Sequence, residues 1–276
     1  MILPRADAAF EWRETAVAPA LVCVPMERVA RHLFTTRGFL LGETRIGDAP
    51  WEQLAGVLGV PALVRLHQVH GRTVVHAGCA PAEPAPGDIV MAAVDGPAVA
   101  VQGADCVPLL IADIRLGVVA AAHAGWRGLA QGVPSETVAA LVRTFGSNPH
   151  DLVAAIGPSV GACCYEVGPD VREAFEAGGF SSGQVQRWFH PAPVVMEANP
   201  PMPGLRPPSA GHAFFDGWAC AGEQLTDAGV PADQVLCARV CTASHPEVLC
   251  SYRRDRTYAG RIAGAIVPRR STDVRP

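Results

Sequence analysis

Cys106 and His123 are the two residues whose types and spacing point most directly to chemistry. Cys106 precedes an apolar run at residues 107–112, and His123 follows a second run at 118–122. Short apolar runs separated by polar and glycine residues are typical of buried strands joined by a tight turn. With the turn centred between Ile114 and Arg115, Cys106 and His123 lie directly opposite each other. The Cβ atoms of such a pair are about 4.5–5.5 Å apart.

At that separation a thiolate and an imidazole can share one metal ion, or they can act as a nucleophile and its base. The alternative is a buried cysteine and a hydrogen-bonded histidine that align without a function. Glycines surround both ends of the hairpin, at Gly103, Gly125 and Gly128. Glycine is favoured where the backbone bends or lets a ligand approach, so the pattern favours a site over chance alignment.

The rest of the chain predicts the elements that bring these residues to one rim. Residues 88–93 and 98–102 flank a turn and predict a second hairpin before the first. Residues 135–145 predict a helix with Ser135 as its N-cap, and residues 169–177 predict another with a proline in its first turn. Apolar residues at helical spacing from 214 to 225 predict a third, with Asp216 at its start. Strands in meanders with interspersed helices predict a mixed α+β fold, in a single domain spanning residues 1–276.

Composition limits the class of protein. The chain has 276 residues, 49% of them hydrophobic and 17% charged, with a formal charge of −4. This provides a sizeable core and gives no electrostatic reason to expect a nucleic-acid partner. No apolar run reaches membrane-spanning length, and acidic residues lie near the start, where an export signal needs apolar ones. We therefore expect a cytoplasmic protein without a membrane partner, whose nine cysteines are reduced.

Six short motifs together resemble the YfiH/laccase-domain family, also called polyphenol oxidase. They are HQVHG (67–71), GADC (103–106), AAHAGWRG (121–128), IGPSVGACCYEVG (156–168), SYRRD (251–255) and GR (260–261). The resemblance extends over residues 34 to 267, nearly the whole chain. It implies a single four-layer α/β/β/α domain with mixed sheets, similar to the catalytic domain of cytotoxic necrotizing factor toxins.

The resemblance adds His70, the histidine before the glycine in HQVHG, as a third ligand beside Cys106 and His123. His67 is not restricted to histidine in the family, and we read it as a neighbour of the pocket at best. Three protein ligands with an open fourth position are the arrangement of catalytic zinc, although two histidines and one cysteine also suit copper. A laccase further needs paired H-x-H motifs, and none of the nine histidines forms one. We expect zinc, with copper less favoured.

The resemblance also implies substrate contacts, which we assign to Arg37 in FTTR (34–37), to Gln68 and to Arg127. The Arg127 guanidinium lies among glycines and suits bidentate phosphate binding. Gln68 either reads a base edge or holds its own loop. Trp126 either stacks on a planar base or packs in the core.

Two further motifs of the resemblance concern the surroundings of the pocket. Residues 159–164 are expected to form a second rim. Arg253 and Arg254 are expected to pair with Asp255 and other carboxylates rather than to meet the substrate.

Three classes of function remain open. The family is associated with purine nucleoside phosphorolysis of inosine, adenosine and methylthioadenosine and with adenosine deamination, which suits an open zinc beside an arginine. The second class is a hydrolase in which Cys106 is the nucleophile and His123 the base, editing peptidoglycan precursors. The third is a non-enzymatic metal-binding protein. A copper-dependent polyphenol oxidase is the further alternative that the family label suggests.

Overall fold

The computed structural model of the chain describes residues 2–42, 47–79, 84–205 and 208–268. Its strands are β1 Phe10–Arg13, β2 Ala20–Cys23, β3 Arg31–Thr35, β4 Leu63–Val64, β5 Val74–His76, β6 Ile89–Ala92, β7 Ala98–Gly103, β8 Val107–Asp113, β9 Val119–Ala124, β10 Leu152–Ile156, β11 Glu166–Val167, β12 Phe189–His190, β13 Ala213–Phe215, β14 Val235–Cys237 and β15 Ile262–Val267. Its α-helices are α1 Val24–Glu27, α2 Ala49–Leu58, α3 Trp126–Ala130, α4 Val133–Phe145, α5 Pro169–Ala177, α6 Ser182–Trp188, α7 Gly217–Asp227 and α8 Tyr252–Asp255.

Most strands belong to two six-stranded mixed sheets. The first has the order β1-β2-β3-β15-β7-β4 and the second the order β14-β10-β8-β9-β6-β5, while β11, β13 and β12 form a small third sheet. The central strands of the second sheet, β8 and β9, are buried at every position. Burial on both faces is why these segments are continuous apolar runs rather than alternating ones.

The two large sheets pack face to face with helices outside them. Leu21 and Phe34 of the first sheet share one apolar cluster with Val90 and Leu110 of the second. Helix α2 covers the other face of the first sheet. Helices α4 and α7 cover the other face of the second sheet, where their side chains join a cluster with Ile111. The result is a layered mixed α/β fold, as the motif pattern predicts, and no described helix is long and apolar enough to cross a membrane.

The predicted hairpin forms, but its register is shifted. In the β8–β9 pair the residue opposite His123 is Pro108, not Cys106. The turn is centred one residue later than predicted, between Arg115 and Leu116, and the Asp113 side chain stabilises it by accepting hydrogen bonds from the N–H groups of these two residues. Since side chains alternate between faces, a shift of two residues keeps Cys106 on the face of His123.

The predicted second hairpin at residues 88–102 is wrong. Strand β6 pairs with β9 and β5 in the second sheet, whereas β7 pairs with β15 and β4 in the first. The turn between them therefore carries the chain from one sheet to the other. Both strands are apolar and almost completely buried, because each lies inside a sheet that is covered on both faces. The two strands belong to different sheets.

The helices agree with the sequence more closely than the hairpins do. Helix α5 has the predicted bounds, and Asp216 caps α7 by accepting from the N–H groups of Trp218 and Ala219. Phe214 belongs to β13 rather than to that helix. Helix α4 begins two residues before Ser135, after Gly132 at φ 79°, so Ser135 is not its N-cap. The Ser135 hydroxyl instead donates to the carbonyl of Gln224 in α7, at 3.1 Å.

Candidate metal centre and its cavity

His70, Cys106 and His123 converge on one point. One ligand atom from each, nitrogen or sulfur, lies within 4.8 Å of the others. The two imidazole rings are 4.9 Å apart, centroid to centroid, and nearly perpendicular at 79°. His123 comes from β9, Cys106 directly precedes β8, and His70 lies in the loop between β4 and β5. The three residues that the sequence predicts as ligands are therefore brought together.

The backbone around Cys106 is held in an unusual conformation. Asp105 has a φ of 91°, a left-handed value that non-glycine residues adopt only when their surroundings fix it. Its carboxylate accepts from the hydroxyl of Thr242, at 2.6 Å, and from the N–H of Arg253. Across the centre, a Cβ on Gly125 would lie 3.0 Å from the Cys106 sulfur and 3.1 Å from the His70 ring. Only glycine gives the imidazole and the thiol room to approach each other.

Asp88 organises the two histidines from behind, a role the sequence did not reveal. Its carboxylate is fully buried and accepts from His123 Nδ1 at 2.9 Å. It also accepts from the N–H groups of His70, at 3.0 Å, and Gly71, at 2.7 Å, which fixes His70 at a φ of 60°. Because Nδ1 of His123 is engaged, Nε2 is the nitrogen that faces Cys106. A carboxylate behind a histidine is the usual way to set the tautomer of a metal ligand.

The charges within the group are mutually supporting. Burial alone would raise the pKa of Cys106, but hydrogen bonds from His123 and His70 bring it down to about 6. Burial alone would lower the pKa of His123, but Asp88 and Cys106 raise it to about 9. Burial opposes ionisation of Asp88 as well, yet the hydrogen bonds from His123 and the loop keep its pKa below the usual value. Cys106 is therefore a thiolate at neutral pH even without a metal.

This donor set fits a metal ion. Two imidazoles and a thiolate, backed by a buried carboxylate, are the ligands that zinc takes at catalytic sites, with a fourth position open. No carboxylate, imidazole or further thiol completes the group to four within the described part of the chain. The same side chains also suit a second kind of chemistry. A cysteine next to a histidine that is itself held by an aspartate is the arrangement of a thiol nucleophile with an oriented base.

The group faces a cavity of about 300 Å³, within the size range of small-molecule sites. His70 and Cys106 lie in its wall, together with the aromatic rings of Trp126 and Tyr165. The lining also includes three arginines: Arg127, Arg253 and Arg256. The cavity thus combines potential metal ligands, flat apolar surfaces and positive charge.

Comparisons with known proteins identify the family and support the fold. The sequence model of a family described as multi-copper polyphenol oxidoreductase laccase matches residues 48–269. The chain belongs to the YfiH/laccase-domain family. Among solved structures, that of YlmD from Geobacillus stearothermophilus superposes with a TM-score of 0.75 at 27% identity, over 94% of this chain and 98% of that one. The predicted similarity to cytotoxic necrotizing factor toxins stays a prediction.

Several relatives of this family member carry names that refer to purine nucleosides. A purine nucleoside phosphorylase of Xylella fastidiosa (strain Temecula1) is 35% identical over 230 residues, 79% of each chain. One of Bacteroides thetaiotaomicron is 34% identical over 167 residues, which are 60% of this chain and 55% of that relative. The adenosine deaminase RL5, from an unknown prokaryotic organism, is 30% identical over 174 residues, 63% of this chain and 59% of RL5.

The substrate contacts inferred from the family resemblance are found in different places. Arg127 lines the cavity, and its guanidinium lies 4.3 Å from the centroid of the Trp126 ring. Trp126 is half-buried, so it both packs against the core and lines the cavity. Gln68 is not in the lining: both ends of its amide bond the backbone of Gln102, at 2.7 and 2.8 Å. Arg37 also lies outside the lining and donates to the carbonyl of Pro246.

Arg253 is in the family's SYRRD motif but departs from its expected role. Its guanidinium donates to the carbonyl of Glu166 at 2.6 Å and lies 5.2 Å from the Tyr165 ring, in the cavity wall. Arg254 does pair with Asp255, as expected. Of the second rim predicted at residues 159–164, Val160 lines the cavity. The sequence alone does not indicate which of two adjacent arginines in a charged motif is directed at a ligand.

Proposed function

We propose that this chain is a zinc-dependent enzyme of purine nucleosides, which cleaves inosine, adenosine and methylthioadenosine with phosphate and deaminates adenosine. The observation that carries the proposal is that two of the three potential metal ligands, His70 and Cys106, line one cavity together with three arginines and four aromatic side chains. The names of the relatives support the substrate class. We further expect the protein to work in the cytoplasm, where its thiols stay reduced.

His70, Cys106 and His123 would hold the zinc. When bound, zinc supplies a Lewis acid that polarises oxygen ligands and acidifies water. The chain's own residues prepare for this: Asp88 keeps Nδ1 of His123 occupied and leaves Nε2 for the metal. The thiolate of Cys106 is already favoured by its two imidazole neighbours. The pKa of His123 is raised to about 9, so at neutral pH a metal ion displaces the proton on Nε2 of His123 when it binds.

The arginines are assigned to phosphate. Arg127 is exposed, and its guanidinium has a ring contact with Trp126 but no carboxylate partner in the described part of the chain, so its N–H groups are available to an anion. Arg253 is fixed by the carbonyl of Glu166 and by the Tyr165 ring. Guanidinium groups bind phosphate oxygens bidentately. Phosphate held here would be positioned against C1′ of the ribose, and the bond from C1′ to the base would break as the new C–O bond forms.

The aromatic residues are assigned to the purine. Trp126 and Tyr165 lie in the wall of the same cavity, and flat rings bind a planar base by stacking. In the second reaction water would attack C6 of adenine instead, the bond from C6 to the amino nitrogen would break, and ammonia would leave to give inosine. One cavity therefore accounts for both activities.

The experiment supplies zinc-loaded protein with inosine or adenosine, with and without phosphate. Inosine should give hypoxanthine and ribose 1-phosphate only when phosphate is present, whereas adenosine should be deaminated without it. Cys106→Ala should abolish both reactions, and His67→Ala should keep both, since His67 is exposed and lies outside the cavity lining. Free ribose at saturating phosphate, or complete inertness of zinc-loaded protein, would contradict the proposal.

A second candidate is the thiol hydrolase, and a specific observation favours it. Cys106, His123 and Asp88 are linked in the order nucleophile, base and orienting carboxylate, and the pKa of the thiol is lowered to about 6. Such a group attacks amides through a covalent acyl intermediate. Mass spectrometry of protein incubated with a peptidoglycan-precursor peptide would detect that intermediate on Cys106. If zinc is bound and no acyl adduct forms, the nucleoside enzyme is favoured.

A further inference from the structure

A second group of three potential metal ligands lies away from the cavity. The sulfur atoms of Cys163, Cys164 and Cys241 are all within 4.8 Å of one another, and all three residues are buried. Cys163 and Cys164 follow β10, and Cys241 follows β14. None of the three lines the cavity described above. We refer to this group as the thiol cluster.

The surroundings of the thiol cluster provide hydrogen-bond donors to sulfur. The N–H of Gly161 donates to the Cys241 sulfur at 3.3 Å, and the N–H of Met202 donates to the Cys164 sulfur at 3.2 Å. The Ser244 oxygen is 3.5 Å from the sulfur of Cys164, but its proton goes to the carbonyl of Pro200, so towards this sulfur it can only accept. Hydrogen bonds to a thiolate favour the charged form, which is the form that binds metals.

A positive charge lies beside the thiol cluster. The Arg254 guanidinium donates to the carbonyls of Thr242 and Ala243, at 2.9 and 3.3 Å, directly after Cys241. It is largely buried, with a side-chain exposure of 13%, and on its other side it pairs with Asp255. A fixed cation near several thiolates lowers the free energy of the charged cluster.

Ordinary packing explains single buried cysteines better than it explains this group. Cys23, Cys220 and Cys250 are also buried, yet among the described residues none of them belongs to a group of three metal-ligand side chains. A small apolar residue would fill such a position equally well. Three sulfurs within 4.8 Å of one another, with two main-chain N–H groups directed at them, instead match a metal thiolate site.

We propose that Cys163, Cys164 and Cys241 form a second, buried metal site for one monovalent soft ion of the Cu(I) type. Soft thiolates select Cu(I), whereas structural zinc takes four ligands. No fourth thiol, imidazole or carboxylate joins the cluster in the described ranges. The nearest oxygen, that of Ser244, is a neutral hydroxyl whose proton is used by the carbonyl of Pro200 at 2.6 Å. Three sulfurs without a fourth donor match the trigonal coordination of Cu(I).

A cavity lies near the thiol cluster, and metal binding there would have a structural consequence. Pro200 and His245 line a cavity of about 700 Å³ next to Ser244. Bound metal would tie the turn at Cys163 and Cys164 to the segment at Cys241. That segment continues into Thr242, whose hydroxyl holds Asp105 beside Cys106. Occupancy should therefore stabilise the backbone that supports the first site.

The test uses the full-length Cys106→Ala protein, so that the thiol of the first site cannot contribute. It is reduced, kept anaerobic and titrated with Cu(I) against a chromophoric Cu(I) chelator. We expect one Cu(I) per chain, with three sulfur neighbours in the X-ray absorption spectrum. Adding Cys241→Ser should weaken binding at least a hundredfold, whereas adding Cys220→Ser, at an isolated buried cysteine, should not.

Three outcomes would overturn the proposal: no Cu(I) retained against the chelator, retention that Cys241→Ser leaves unchanged, or a disulfide between cluster cysteines that forms in place of binding. The X-ray absorption spectrum is measured with the thiol cluster unmutated, so it decides the matter even if Cys241→Ser unfolds. No step depends on nucleoside activity, so failure here is separate from failure of the proposed function.

Discussion

The two three-ligand groups of this protein contain the same number of donors but lie in opposite kinds of surroundings. At the cavity, two imidazoles and a thiol are backed by a buried carboxylate, and one side opens to a space lined by arginines. In the thiol cluster, three sulfurs are enclosed, and main-chain N–H groups and a hydroxyl take the remaining directions. An open position permits a substrate to reach a bound metal, whereas a closed one permits only binding.

The ionisation of Cys106 differs from that of Cys164, although within the thiol cluster hydrogen bonds from Cys163 and Cys164 outweigh burial and lower the pKa of Cys241. At the cavity two imidazoles bring the pKa of Cys106 to about 6. In the thiol cluster the neighbouring sulfur of Cys163 lowers the pKa of Cys164, but the charge of Cys241 and burial outweigh it and raise that pKa to about 11. The partners around a cysteine, rather than the residue type, therefore decide whether it is reactive at neutral pH.

The largest predicted difference is in alkylation by iodoacetamide of the reduced, metal-free protein. At pH 7 the pKa values of about 6 and about 11 give a ratio of thiolate fractions between Cys106 and Cys164 on the order of 10⁴. Because the pKa of Cys106 is lowered, its reactivity is present above pH 6 and falls tenfold per pH unit below it. Peptide mass spectrometry measures each rate.

Zinc should then slow the alkylation of Cys106, because a bound thiolate is a poorer nucleophile. The contrast would be wrong if the alkylation rate of Cys106 reached half its maximum near the ordinary pKa of cysteine. It would also be wrong if Cys106 and Cys164 were alkylated at equal rates. Fast alkylation of Cys106 with zinc present would favour the thiol hydrolase.

Replacing single arginines should affect phosphorolysis and deamination differently. Arg127→Ala should lower phosphorolysis about ten- to 150-fold at limiting phosphate, since a charge-assisted hydrogen bond contributes about 1.5–3 kcal/mol. Deamination should fall much less. Arg37→Ala should change either rate less than about threefold, because Arg37 lies outside the cavity lining. Steady-state kinetics with varied phosphate test this, and an equal fall of both activities in Arg127→Ala would exclude a phosphate role.

Asp88 should distinguish the two groups through its support of the histidines. Asp88→Asn places an amide where His123 and three main-chain N–H groups donate, and we expect zinc affinity to fall about 10- to 100-fold. Asp113→Asn is the matched control, because Asp113 is equally buried but accepts from the hairpin turn far from any ligand. It should affect only the melting temperature. Competition with a fluorescent zinc chelator measures the zinc affinity of each variant. Equal affinities of Asp88→Asn and Asp113→Asn would contradict the role assigned to Asp88.

The smallest effect concerns the close approach at Gly125. Gly125→Ala adds a Cβ 3.0 Å from the Cys106 sulfur, so the neighbours must shift, and overpacking of this kind reduces stability by about 1–3 kcal/mol. Gly56→Ala adds a methyl group in helix α2 with no atom within 4 Å. It should instead stabilise the protein by about 0.4–1 kcal/mol. Urea denaturation measures the change in the free energy of unfolding of each variant. If Gly125→Ala were more stable than the unmodified protein, the site would have space for the added methyl group.

The sequence predicts the first group far better than the second. Two apolar runs indicate the β8–β9 hairpin, and although the Asp113-capped turn shifts the register by two residues, the alternation of side chains preserves the meeting of Cys106 and His123. His70 depends on the family resemblance, because its φ of 60° and its contact with Asp88 arise from a loop conformation. Asp88 itself appears only as a polar residue before a strand.

The thiol cluster could not be predicted in the same way. Cys164 and Cys241 come from segments that meet only after β10 and β14 pair in parallel, and no periodic pattern encodes that contact. The same limit explains the false second hairpin. Alternation and turn residues identify strands, but they do not say which sheet each strand joins.

We expect His70, Cys106 and His123 to hold one metal ion at the cavity, and metal analysis of purified protein decides whether they do. Protein loaded with zinc and then dialysed against a weak chelator should retain one zinc per chain, with two nitrogen and one sulfur neighbour from the protein in its X-ray absorption spectrum. Cys106→Ala should lose that zinc while Cys220→Ser, at a buried cysteine outside both groups, retains it. Full zinc occupancy in Cys106→Ala would contradict the account.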